Sequence, residues 1–562
     1  MGEKTFATGI EFFQEIIEND VYYVDKTLLI KELVDSKSKV VLFCRPRRFG
    51  KTLNMTMLRS FFSIENAERN GRLFKGLKIE GAGERYMSLQ GRHPVVFLTL
   101  KDVNCDDWAS AEESLKGIVA EEFTRHAYLL DSAMLDDDEK NYYRSVKSRS
   151  ASTADFSSSL RRLCAFLHRF HGAKTVLLID EYDAPIQSAY ERGYYDRMIS
   201  FMRNWLGGGL KTNESLQIAV LTGVLRVSKE SVFSGLNNLS VNTVLDREFS
   251  GCFGFTQEEV DEMARYAGRE DRLPEIKRWY DGYMFGGTEI YNPWSVVNYF
   301  GRGCEPRAYW VNTSGNAIVK EVLDGLSREN WNSLFDIMNG KTVSSAVETD
   351  VVYGDVRDGD ECRAFGFLLM TGYLKAVGRA GTAAGHAKYD LRMPNMEINE
   401  VYRKEIIERS KRHVRPALLY DLADDLIGGD AEGFSEKLGS VLKGTASFYD
   451  SSTEGFYHGL VLGMTAAMNG SYVAESNRES GKGRFDIAFI PKTPGLPGVI
   501  IELKKAGSED ALGEKAAEAL RQIGDREYET ELKRFGAGEI LKYGVAFCGK
   551  EVRVAAAGPN LR

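Results

Sequence analysis

Four short runs of near-continuous apolar residues stand out in the first 230 positions: KVVLF (39–43), HPVVFLTL (93–100), KTVLLID (174–180) and LQIAVLTG (216–223). Longer stretches of helical periodicity separate them. A strand that is apolar at both alternating positions is buried on both faces, which marks parallel strands covered by helices. The pattern predicts a doubly wound α/β sheet. From about 250 to 340 it turns mostly helical and aromatic (FTQEEVDEMARYA, RWYDGYMFGG), with Thr256 expected as N-cap and Glu259 at the capping-box position. Between 341 and about 430, the turn-rich charged segments VYGDVRDGDE and GRAGTAAGHA precede a helical run after Asn395. A third pattern begins near Phe434: two helices, strands YVAES, GRFDIAFIP and GVIIELKKA, a helix over 509–523, and a last strand YGVAFCG. A chain of 562 residues is too long for one core. The expected division is 1–248 (α/β sheet), 249–340 (helical lid), 341–433 (connecting mixed region) and 434–562 (a C-terminal α/β domain).

The end of the first run carries chemistry. KVVLFCRPRRFGKTLNMTMLRSFF reads as strand, loop, helix, and the loop closes on Gly50, Lys51 and Thr52. Backbone amides at a helix N-terminus attract phosphates, a lysine adds a point charge at the β/γ-phosphates, and a hydroxyl ligates magnesium. ATP with Mg2+ is therefore the expected ligand, cradled by Gly50, Lys51 and Thr52, with Arg47 and Phe49 of the same loop beside it. Five positions before Gly50, where glycine is usual, stands Arg45. With Pro46 it implies a stiffer and more basic loop, whose RPRR cluster is expected to serve the nucleotide. The run VLLIDEYD ends in Asp180 and Glu181. There Asp180 is expected in the magnesium shell and Glu181 as the group polarising the attacking water, with Asp183 the next candidate. The fourth strand ends at Thr222, placed to sense the γ-phosphate or water. Arg226 follows, either to neutralise developing charge or to form a structural salt bridge.

A second constellation lies near the C-terminus. Glu502 and Lys504 are two apart on one predicted strand and so share a face. Asp486 lies on the preceding strand, joined to it by the turn PKTPGLPG. Asp486 and Glu502 are expected to share a divalent cation, Mg2+ or Mn2+, and Lys504 to orient the activated water or stabilise charge on a phosphate. Arg478, Lys482 and Arg484 could contact phosphates or simply be exposed.

Composition narrows this only a little. The chain is 43% hydrophobic and 27% charged with a net charge of −8, which gives no global pull toward a polyanion. Seven dispersed cysteines read as free thiols in a reducing compartment. No run approaches the ~18 apolar residues of a membrane span, so a cytoplasmic location without a membrane partner is expected.

Through VYYVDKTLLI (21–30), RPRRFGKT (45–52), LLIDEYDAPI (177–186), LTGVLRVSKESVFSGLNNL (221–239), WYDGY (279–283) and YNPWSVVNY (291–299), residues from about 5 to 315 resemble the bacterial AAA-ATPase-like family, relatives of AAA+ and STAND P-loop ATPases. That family shares the altered first loop position. Through EGFYHGLVLGM (454–464), YVAESNRESGKGRFD (472–486), IIELK (500–504), AEALRQI (517–523) and YGVAFCGK (543–550), residues of roughly 435 to 555 resemble the PD-(D/E)xK nuclease superfamily. The resemblance implies that Glu454 completes the metal shell and that Gln522 is an accessory active-site group. Glu454 also fits an acid favoured at a helix N-terminus, and His458 fits a core or capping role. The implied function is ATP-coupled, metal-dependent cleavage of nucleic acid, DNA before RNA. Two alternatives stand beside it: a STAND-like regulatory or defence switch that self-associates and uses the nuclease as effector, and a non-cleaving nucleic-acid scaffold.

Overall fold

In a computed structural model of the chain, the described residues are 4–226, 233, 239–310, 322–323, 325–326, 328–338, 340–351, 360–383, 386–410, 416–445, 472–476, 479–480, 483–484, 486–491, 495–525, 532 and 537–558. They divide into two compact units. One comprises Met1–Gly325, Ser345–Tyr389 and Pro394–Glu397, the other Leu326–Ser344, Asp390–Met393 and Ile398–Arg562.

The first unit is built on five parallel strands: β1 (Val40–Cys44), β2 (Val95–Thr99), β3 (Thr175–Asp180), β4 (Leu216–Gly223) and β5 (Leu239–Asn242), in the order β2-β3-β4-β1-β5. The four apolar runs of the sequence are the first four strands. Every residue of β1 and β3 is buried, because helices cover both faces. Trp108–Arg125, Ser159–His171 and Tyr195–Leu210 share one apolar core with the sheet, in which Trp205 is wholly enclosed. At the β2 edge, Phe97 N donates to Glu122 Oε1 (2.9 Å) and Arg125 Nη2 donates to Val95 O, so the helix Trp108–Arg125 caps the edge strand's backbone. Covering an edge this way blocks addition of a further strand. The strand β5 was not expected: LSVN is only four residues long and carries polar side chains at two of them.

After the sheet come the helices Gln257–Tyr266, Leu273–Tyr280 and Pro293–Gly301. The Thr256–Glu259 capping box forms in both directions. Between the last two helices stands a hairpin, β6 (Tyr283–Phe285) with β7 (Thr288–Ile290), which the helical reading did not contain. Its turn is Gly286-Gly287, both at positive φ, and a Cβ on Gly286 would lie 2.2 Å from Asp246 O.

VYGDVRDGDE falls largely outside the described residues. GRAGTAAGHA is not the turn-rich segment that its small residues suggested. It belongs to β9 (Lys375–Ala383) and β10 (His386–Arg392), which form a three-stranded sheet with β8 (Val343–Val347) in the order β8-β10-β9. The helical run after Asn395 is Met396–Ser410. Its Glu397 is fully buried and accepts from Ser295 Oγ (2.7 Å) and Trp310 N (2.7 Å). Burial pushes its pKa up to about 7.

The second unit carries the strands β11 (Tyr472–Ser476), β12 (Glu479–Ser480), β13 (Gly483–Arg484), β14 (Ile487–Pro491), β15 (Gly498–Lys505), β16 (Ile540–Cys548) and β17 (Glu551–Ala557). The main sheet runs β11-β14-β15-β16-β17, antiparallel except for the β15/β16 pair. A parallel pair needs a crossover, and the helix Leu512–Asp525 supplies it. It packs Ile523 and Leu520 on Ala488, Ile490 and Ile500. On the opposite face Tyr543 donates its hydroxyl to Leu426 O (2.7 Å) and stacks near Phe434. β17 corrects the expectation that YGVAFCG is the last strand. It follows a two-residue turn at Gly549-Lys550 and pairs with β16 along its whole length. No helix among the described residues is long and apolar enough to cross a membrane, and all seven cysteines are free thiols.

Candidate functional site

The first site is assembled at the carboxyl ends of β1, β3 and β4, where an open α/β sheet places its ligands. Strand register sets Cys44 beside Gly223 and Phe43 beside Thr222. Gly50 takes φ +79°, and nothing lies within 4 Å of where its Cβ would be. From there the helix Lys51–Phe62 begins.

Lys51 is buried, and its ammonium donates to the carbonyls of Arg45 (3.0 Å) and Pro46 (2.9 Å), lying across the mouth of its own loop. Burial lowers its pKa, against the pull of Glu181, Asp183 and Asp180. Thr52 Oγ1 donates to Asp180 Oδ2 at 2.7 Å. A hydroxyl and a carboxylate brought together are hard oxygen donors, the set that suits magnesium. Burial raises the Glu181 pKa, and Lys51 opposes the rise.

A cavity of about 640 Å³ opens over this loop, within the range of small-molecule sites. Arg47, Phe49, Gly50, Lys51, Thr52 and Glu181 line it. Asp180 and Thr222 do not. Both are fully buried beneath the loop, and Thr222 donates its hydroxyl to Asp180 Oδ1 while accepting from Glu181 N (3.2 Å). Thr222, expected to sense the γ-phosphate or water, thus stands behind Asp180 and outside the cavity lining. Arg226 is also absent from the cavity lining and pairs with Asp350 (3.1 Å), the salt-bridge alternative. Arg47 reaches Gln187 Oε1 (2.9 Å). The Phe49 ring turns into Tyr283 and Phe285, leaving its backbone to the loop.

Within the basic cluster, Arg47 and Arg48 line the cavity and Arg45 does not. Arg45 is fully buried, donating to Cys44 O (3.1 Å) and Asn242 O (2.8 Å) under the rings of Phe253 and Phe285. Burial lowers its pKa to about 10. Where a glycine would leave the loop loose, this arginine bolts it to β5 and the β6–β7 hairpin. It serves the loop, not the ligand.

Sequence reasoning missed the cavity's other walls. Tyr22, Lys26, Lys101 and Trp294 all line it. The Arg48 guanidinium stacks 4.4 Å over the Trp294 ring. The motifs VYYVDKT and YNPW were visible, but only the tertiary fold brings them to the loop.

The second site sits on the sheet face beneath the helix Leu512–Asp525. Ile487 pairs with Ile501, so Asp486, one residue before β14, is level with Glu502. Ala488 and Ile500 share the helix-facing core, which puts Asp486, Glu502 and Lys504 on that same face by strand alternation. Asp486 Oδ2 accepts from Leu503 N at 2.8 Å. Glu502 is buried and receives Gln522 Nε2 from the helix. Glu518, one turn before Gln522, has its pKa lowered first by Lys515 and in part by Lys504. Two carboxylates on one face suit a hard divalent cation. Among the described residues there is no group of three or more His, Cys, Asp or Glu able to hold a metal. Glu454, His458, Arg478 and Lys482 lie outside the described residues, as does the side chain of Arg484.

Gly544 lets this helix approach. It pairs with Glu502 across β15/β16, and a Cβ there would fall 2.2 Å from Ala516 O and 2.4 Å from Leu520 N. Gly544→Ala must push the helix outward, at a cost of about 1–3 kcal/mol, and carry Gln522 away from Glu502. A urea unfolding curve checks the stability loss; an unshifted midpoint counts against it.

Residues 7–233 match the model of a family described as "Predicted AAA-ATPase", and residues 452–557 match that of the PD-(D/E)XK nuclease superfamily. The chain joins an AAA-ATPase-like segment to a nuclease-superfamily segment. A relative from Azotobacter chroococcum mcd 1, described as "Uncharacterized protein in vnfD 5'region", is 27% identical over 550 residues, covering 95% of each chain. The likeness therefore spans the ATPase-like segment, the nuclease segment and the region between them.

Proposed function

We propose that the chain binds and hydrolyses ATP at the first site and cleaves nucleic acid, DNA in preference to RNA, at the second with a divalent metal ion. The observation that carries the reading is the set Lys51, Thr52 and Glu181 lining one cavity with Asp180 bonded to Thr52 beneath it, in a chain whose other end sets Asp486, Glu502 and Lys504 on one sheet face. Lys51 and the loop amides bind the phosphates, Thr52 and Asp180 hold magnesium, and Glu181 takes up the proton of the attacking water. Magnesium, when bound, neutralises charge on the β- and γ-phosphates. In the nuclease segment Asp486 and Glu502 would hold a divalent metal, whose contribution there would be to activate water for attack. Gln522 fixes the Glu502 carboxylate, and Lys504 stabilises charge on the scissile phosphate. Residues 249–340 act in this reading as the lid of the nucleotide cavity and 341–433 as the connection to the nuclease segment, with a second copy of the chain as partner. Full-length protein incubated with single- and double-stranded DNA and RNA, with Mg2+ or Mn2+, with and without ATP, tests it. Metal-dependent DNA products are expected. Cleavage of RNA alone moves the substrate, and no cleavage under any condition rejects the nuclease reading.

A further inference from the structure

Glu181 is a non-glycine residue in the left-handed region, with φ +51°. An L-residue adopts that backbone at a cost, and it persists only where the surroundings hold it. Here they do so through the two residues that follow. Tyr182 N donates to Thr222 O (2.9 Å) and its hydroxyl donates to Leu225 O (2.7 Å). Asp183 Oδ2 accepts from both Val224 N (2.8 Å) and Leu225 N (3.0 Å), just past the end of β4. Gly223 completes the joint: a Cβ on it would stand 2.7 Å from Asp183 Oδ1 and 2.7 Å from the Tyr182 ring. The turn after β3 is thus clamped onto the turn after β4, and the clamped side chains are buried. Glu181 alone of the three lines the nucleotide cavity.

On sequence grounds Asp183 was the alternative base. Its geometry argues otherwise. One oxygen is occupied by two backbone amides, the other is pressed against Gly223, and the residue is 3% exposed. Such a carboxylate has no route to a water in the cavity.

We propose that Asp183 is a positioning residue: by anchoring the turn to Val224 and Leu225 it holds Glu181 in its left-handed conformation, aimed at the attacking water. The proposal rests on the reading of Glu181 as the group that polarises that water. Because Asp183 acts through Glu181, removing it matters only while Glu181 can act.

The test is a double-mutant cycle on full-length protein, measuring phosphate release from ATP and, separately, binding of Mg-ATP. Asp183→Ala is expected to lower kcat by ~10- to 100-fold with nucleotide affinity held within ~3-fold. Asp183→Asn, whose carbonyl oxygen can still accept from both amides, is expected to recover most of the rate. In a Glu181→Gln background, Asp183→Ala should cost less than ~2-fold more. Losses that multiply across the cycle overturn the proposal, as does wild-type turnover in Asp183→Ala. So does a fall in affinity that matches the fall in kcat. If Glu181→Gln itself turns over like wild type while binding ATP, the water-polarising role of Glu181 fails first and the proposal falls with it. Should Asp183→Ala fail to fold, Tyr182→Phe removes only the hydroxyl bond to Leu225 O. It is expected to slow turnover by ~3-fold, an effect that must vanish in the Glu181→Gln background; an undiminished effect there overturns the clamp.

Discussion

Lys51→Ala is expected to lose nucleotide binding by ~100-fold or more while the chain stays folded. The ammonium lies directly across the loop, bonded to the Arg45 and Pro46 carbonyls. A charged hydrogen bond is worth about 1.5–3 kcal/mol, and each 1.4 kcal/mol is about tenfold in affinity. A lysine touching two phosphates therefore accounts for a loss of that size. The fold should survive because other groups anchor the loop. Arg45 is bonded to Asn242 O, Phe49 is packed against Tyr283 and Phe285, and Asn54 donates to Cys252 O (2.9 Å). Isothermal titration with Mg-ATP measures the change. Wild-type affinity in the variant would remove the phosphate loop from the account.

Asp486→Ala should abolish metal-dependent cleavage, a loss of ~1000-fold or more, and leave ATP binding unchanged. In the proposed reading Asp486 and Glu502 would both hold the cation, and one carboxylate alone is a poor divalent site. The same oxygen accepts from Leu503 N (2.8 Å), so alanine also frees a backbone donor beside Glu502. Asp486→Asn separates these effects, since it keeps an acceptor for Leu503 and loses the charge. If charge on the metal is what matters, Asn should be nearly as inactive as Ala. Lys504→Ala is expected to differ from both: metal affinity remains and the cleavage rate falls by ~100-fold or more. Metal titration and product formation, followed on the same samples, distinguish the three. Full cleavage by Asp486→Ala would move the cleavage chemistry away from Asp486.

How much of this was legible depended on where the physical signal lay. The strands β1 to β4 are buried on both faces, and such burial writes itself as an apolar run. The capping box at Thr256 and Glu259 is equally local and reads directly. The hairpin β6–β7 and the strand β17 had a readable signal, Gly286-Gly287 and Gly549-Lys550, but their strands are short or only half buried, so no strong alternation marks them. The β9–β10 pair was obscured by glycine and alanine, which look like turn residues until a neighbouring strand pairs with them. At the first site the loop and the acidic strand end were visible because each is a local motif. The burial of Arg45, the stacking of Arg48 on Trp294 and the clamp at Asp183 were not, since each joins distant parts of the chain by tertiary packing alone. At the second site period-two alternation was sufficient to put Glu502 and Lys504 on one face. The reason Gly544 must be glycine is a helix backbone that no local pattern announces.

The central claim is that one chain carries two separable phosphate chemistries, and a single reaction tests it most directly. Full-length protein is incubated with plasmid DNA, ATP and Mg2+, and both inorganic phosphate and nicked DNA are measured from the same tube for the wild type, Lys51→Ala and Asp486→Ala. The wild type should yield both products, Asp486→Ala phosphate without nicking, and Lys51→Ala no phosphate above background. Nicking by Asp486→Ala at the wild-type rate, or phosphate release by Lys51→Ala at the wild-type rate, would contradict it.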